Sequence, residues 1–152
     1  LDKAKLRGQV LENGAAGSPA LGRFVFQTRG CYACHVAGDP KVRAPRLDHV
    51  AATHDAAYLL DSILDPNQSV KTGFLTQEII LPTGKAITGI LHRNVSGDGR
   101  YDEVIDSDSR STLYPSGQIE EPRAISAMPA GLEATMSRSE LVDLIAYLKT
   151  FK

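Results

Sequence analysis

Between residues 56 and 64 the run AAYLLDSIL sets Ala57, Leu60, Ile63 and Leu64 three and four positions apart, the period of one helix face, before Pro66 stops it. A second stripe, Leu141, Leu144, Ile145 and Leu148, closes the chain, with Ser137 and Glu140 ahead of it in the register of a capping box. SPALGRFVF predicts a third helix: Ser18 caps it, Pro19 takes the first helical position and Gly30 ends it. Within that helix, Gly22 is either a point of close approach to the last helix or a small residue tolerated at some loss of stability. Three striped helices are enough to wall a pocket.

The period changes in the middle of the chain. From residue 71 to 125 the apolar positions alternate, with short β-runs predicted at 75–81, 86–92 and 101–105, separated by turns at Pro82-Thr83-Gly84 and Ser96-Gly97-Asp98-Gly99. This segment is expected to be a small antiparallel insert resting one face on the helices. Asp98, Asp102, Asp106 and Asp108 lack the loop glycine and terminal glutamate of an EF-hand, so they are expected on the wet face of the hairpins.

Charge and length add bounds. Across 152 residues, 17 Lys and Arg balance 18 Asp and Glu, a net charge of -1, so no field draws the chain to nucleic acid or an anionic membrane. No apolar run is long enough to span a bilayer. Starting at Leu1 without Met, the chain is expected to be a processed mature protein or a piece of a longer one.

The chain has two cysteines, Cys31 and Cys34, in the string CYACH with His35 directly behind. Zinc asks for four ligands, and His49, His54 and His92 offer no ligand spacing to complete a set. A thioredoxin-type dithiol follows a strand, whereas a helix is predicted here; a structural disulfide is a further alternative. C-x-x-C-H fits covalent haem attachment best, with each thiol bonded to a haem vinyl and the histidine on iron. The far side of the iron then needs a ligand or stays open. Met128, in the loop ISAMPAGL, is the expected distal ligand, because a thioether on an irregular segment reaches a haem face without carrying a helix. Met136 suits gap-filling better, and a histidine or an open site are the alternatives.

GRFVFQTRGCYACH, APRL, MPAGL and ELVDLIAYL together resemble class I cytochromes c. With YLLDSILDPNQSVKTGF added, the chain resembles most closely the haem-binding domain of planctomycete and verrucomicrobial proteins, which often ends large dehydrogenases. The resemblance implies a mainly α, cytochrome c-like helical haem domain with a small antiparallel β insert: residues 1–16 an N-terminal extension, 17–152 the haem domain and 71–125 the insert. It implies one covalent haem c on Cys31 and Cys34, with His35 proximal and Met128 distal. Pro45 is implied to offer its carbonyl to the other ring nitrogen of His35, with Ala44 before it where the family often has glycine.

With both axial positions filled by side chains, the expected function is one-electron transfer without substrate binding at iron. The implied partners are redox proteins: a dehydrogenase donor and an oxidase or another cytochrome as acceptor. Residence is expected to be periplasmic or otherwise extracytoplasmic. A haem enzyme or gas sensor with an open or labile distal site is the rival reading, and an interaction module tethered through the insert is a weaker one.

Overall fold

Two helix starts follow the predicted caps, at Ser18 and at the Ser137–Glu140 box. In the computed structural model, which describes residues 2–36, 44–70 and 75–152, α1 spans Lys3–Glu12, α2 Pro19–Thr28, α3 Cys31–His35, α4 Val50–Thr53, α5 Ala56–Leu64 and α6 Arg138–Leu148. Ser18 accepts a hydrogen bond from the backbone N–H of Leu21 ahead of Pro19. Asp55 does the same for Tyr58 at 2.8 Å. At α6 the capping box is complete: Ser137 Oγ accepts from Glu140 N and Glu140 Oε2 accepts from Ser137 N. Each bond satisfies a donor that the first helical turn leaves without a partner.

The stripes of these helices meet in one core. Leu60, Leu141, Leu144, Val25 and Phe26 are buried together, and α1 adds Val10. Residues expected as an N-terminal extension thus contribute a helix to this core, held also by the two bonds from the Arg7 guanidinium to Asp61, 2.6 and 2.9 Å. Where α2 passes α6, Phe26, Tyr147 and Phe151 pack edge to face, and Asp143 Oδ1 accepts from Ser18 N at 2.7 Å.

The chain divides into two units, Leu1–Ser69 with Met128–Lys152 and, between them, Val70–Ala127. The second unit is a five-stranded antiparallel sheet: β1 Leu75–Ile80, β2 Ala86–His92, β3 Tyr101–Asp106, β4 Ser111–Pro115 and β5 Arg123–Ser126, in the order β4-β3-β2-β1-β5. Tight turns at Gly84, Gly97, Gly99 and Gly117 carry positive φ. The expected start of the insert, residues 71–74, lies outside the described residues.

This sheet overturns the expectation of a mainly α, cytochrome c-like helical domain with a small β insert: the chain is mixed α/β. The sheet has an apolar cluster of its own. Ile79, Leu91 and Val104 pack with Ile119 from the β4–β5 connection, supported by Leu81, Ile87 and Tyr114. Neither STLYP, mostly exposed, nor RAIS, half of it exposed, alternates strongly, so their pattern alone did not mark them as strands. Register against β3 and β1 makes them so.

A second correction concerns Asp102, expected on the wet face. It is 3% exposed. Its carboxylate accepts from Asn94 N at 3.0 Å and from Arg93 Nη1 at 2.9 Å, and Arg93 also donates to the carbonyls of Ile119 and Glu120. The backbone N–H of Asn94, then the Arg93 guanidinium, hold the Asp102 carboxyl below the usual carboxylate range. Asp102 and Arg93 together pin the β4–β5 connection, the segment that brings Ile119 to the core. Asp106 caps its own turn, accepting from Asp108 N and Arg110 N, while Asp108 is exposed as expected.

Candidate functional site

Gly30, at φ 85°, separates α2 from α3, a left-handed conformation open to glycine at little strain. The chain therefore turns sharply and begins α3 at Cys31. Cys31 and Cys34, three apart on one helical turn, share a face; both are half-buried free thiols, while Tyr32 and Ala33 between them are exposed. Cys31 also packs against the helical core. Burial first, and the neighbouring Cys34 less strongly, push the Cys31 thiol up. A dithiol built for exchange depends on the opposite shift, toward thiolate.

His35 ends α3. Its Nδ1 is 2.8 Å from the carbonyl oxygen of Pro45. A carbonyl only accepts, so Nδ1 carries a proton, and in the neutral ring the lone pair is then on Nε2. This is the arrangement in which a metal-binding histidine is fixed in tautomer and ring orientation by a backbone acceptor.

Met128 is where the chain returns to the helical unit that also holds Cys31, Cys34, His35 and Pro45. It is half-buried against the helical core, and so is Met136. Pro129 and Gly131, the latter at φ 86°, lead from Met128 into a 3-10 turn, Leu132–Thr135, and then into the α6 cap. The three remaining histidines are engaged elsewhere. His49 Nδ1 lies 3.0 Å from the Lys152 carbonyl, the His54 ring stacks on Tyr58, and His92, in the sheet, lies 3.2 Å from Glu103.

Two residues near the Met128 segment escape a sequence reading. Glu133 is buried in the 3-10 turn, 4% exposed, and pairs with Lys3 of α1 at 2.9 Å. A lone Glu in a loop and a Lys near a chain end ordinarily signal solvated surface, so only their meeting reveals them.

The donor set suits a haem better than a bare ion. Among the described residues no group of three or more His, Cys, Asp or Glu gathers to hold a metal, whereas haem brings four ligands and asks the chain for two thioethers and an axial imidazole. Among the described residues no helix is long and apolar enough to cross a membrane. The chain matches no family model and no curated protein.

Proposed function

We propose that this chain is a one-electron carrier that holds one haem c through Cys31 and Cys34, with His35 as proximal ligand and Met128 as distal ligand. The observation that carries the reading is the bond from His35 Nδ1 to the Pro45 carbonyl, directly behind a C-x-x-C turn whose two thiols share a face. When bound, haem supplies an iron that changes between ferrous and ferric. Everything else falls to the chain. The Pro45 carbonyl orients the imidazole and makes Nε2 a stronger donor. The Met128 thioether, a poorer donor than imidazole, favours the reduced state, and the apolar helices beside it exclude water.

With two side chains on the iron, the carrier takes electrons from a dehydrogenase-type donor and passes them to an oxidase or another cytochrome. Residence outside the cytoplasm follows from covalent haem attachment in this reading. The test is an absorption spectrum of the purified holoprotein, oxidised and reduced, with and without carbon monoxide. A closed six-coordinate site leaves the reduced spectrum unchanged by the gas. Rapid formation of a carbon monoxide complex turns the reading toward a gas-binding sensor or haem enzyme, and a chain with no haem after expression with a c-type maturation system rejects it.

A further inference from the structure

We infer that Lys3 and Glu133 form a clasp that holds the Met128 segment in position, which makes α1 part of the haem-binding machinery; this rests on Met128 being the distal ligand. The Lys3 ammonium lies 2.9 Å from Glu133 Oε1 and donates to the carbonyl oxygen of Leu64 at 2.5 Å. Leu64 is the last residue of α5, and its carbonyl is one of those a helix end leaves without an internal donor. One ammonium therefore ties together three segments distant in sequence: α1, the end of α5 and the turn that follows Met128.

The Glu133 side chain is 4% exposed, and its Oε2 has no hydrogen-bond partner among the described residues. A carboxylate so buried is stable where it is only because a cation meets it. Without the Lys3 charge, the group must either take up a proton or swing out to water. Swinging out moves the turn as a block, because its backbone is tied: Ala134 N donates to the Gly131 carbonyl at 3.0 Å and Met136 N to that of Glu133 at 3.4 Å. Pro129, with its fixed φ, and Gly131, at φ 86°, stand between that block and Met128 and transmit the movement. The clasp is a positioning device five residues from the thioether, with no contact to iron asked of either partner.

Lys3→Met, Lys3→Arg and Glu133→Gln would be prepared as holoproteins beside wild type and Met128→Ala. Three quantities are read: the long-wavelength sulfur-to-iron charge-transfer band of the ferric protein, the rate of carbon monoxide binding to the ferrous protein, and the thermal midpoint. Lys3→Met and Glu133→Gln are expected to weaken the band and raise the carbon monoxide rate about tenfold at temperatures where both are folded, less than breaking a wholly buried pair implies because the Lys3 side chain is half-exposed. Lys3→Arg, which keeps the charge, is expected to restore both. Folded variants with band and rate unchanged overturn the clasp, and so does a lowered thermal midpoint alone. Failure of both variants to fold, with Lys3→Arg folded, assigns the pair to stability and overturns the positioning role. A wild type without the band, or a band that survives Met128→Ala, overturns the distal assignment and the clasp with it; a band that needs Met128 but not Lys3 overturns the clasp alone.

Discussion

Gly22 of α2 lies so close to Asp143 of α6 that a β-carbon there would come within 1.9 Å of the Asp143 backbone carbonyl oxygen and 2.7 Å of the Tyr147 β-carbon. Backbone cannot yield as a flexible side-chain end can. The contact brings α2, which delivers the cysteine pair, against the last helix of the chain.

Gly22→Ala is therefore predicted to destabilise the helical unit. In an open helix the same change stabilises by about 1 kcal/mol. Here the overpacking term, about 1–3 kcal/mol or more, runs against it and wins, because the obstacle is a carbonyl of the partner helix. Urea unfolding followed by helix signal measures the net change; a midpoint equal to or above wild type would show that the helices separate freely.

Haem is predicted to stay with the polypeptide in acid-organic extraction of the denatured protein, since thioether bonds survive unfolding and axial bonds do not. Cys31→Ser and Cys34→Ser should each leave a single thioether, seen as one attachment site by peptide mass mapping. Pigment released into the organic phase from wild type would refute covalent attachment.

Met128→Ala is predicted to abolish the sulfur-to-iron band of the oxidised protein and to open the ferrous iron to carbon monoxide. Met136→Ala should do neither and should instead behave as a truncated half-buried side chain. Both methionines touch the helical core, so the pair of variants is the discriminating measurement, and reversed behaviour would move the distal ligand to Met136.

Acid should loosen the start of α6. Glu140 accepts from Ser137 N and from Arg29 at 2.7 Å, and these bonds, the backbone one foremost, lower its pKa from 4.5 to about 2. A depressed folded pKa means that the stabilisation is complete above the unfolded value and is lost as pH falls through the folded one. Thermal midpoints measured from pH 5 down to about 2 should fall, and Glu140→Gln should flatten that part of the profile. An unchanged slope in the variant would place the acid sensitivity elsewhere.

In the sheet, Asp102→Asn is predicted to lower stability while Asp108→Asn leaves it unchanged. The first removes the charge facing Arg93 in a buried setting; the second alters a carboxylate in water, 3.6 Å from an exposed Arg110. Amide exchange of β2 and β3, compared between the two variants, separates them. Equal protection in both would return Asp102 to the solvated surface that its sequence context implies.

Much of the helical unit was legible in the sequence because its signals are local. Ser18 and the Ser137–Glu140 box each lie within a turn of the donors they satisfy, and a stripe such as Leu141, Leu144, Ile145 and Leu148 declares its buried face by spacing alone. The C-x-x-C-H string likewise fixes two thiols on one face of a turn and an imidazole behind them. Strands β4 and β5 were not legible, because STLYP and RAIS owe their conformation to the hydrogen-bond ladders of β3 and β1 and not to an apolar alternation of their own. Asp102 and Glu133 looked like surface for a related reason. The free energy that keeps a carboxylate buried resides in its partner, and Arg93 lies nine residues away in one case while Lys3 lies at the far end of the chain in the other. The sequence by itself determined where α2 and α6 begin, which faces α5 and α6 bury, and that two thiols and an imidazole stand together in C-x-x-C-H. Only the tertiary structure decided that Gly22 is a point of contact, that Glu133 is buried against Lys3, and that the central segment is a five-stranded sheet with its own core. Local patterns are written in neighbouring residues, whereas the partner of a polar group or a strand edge is fixed only when distant parts of the chain are packed together.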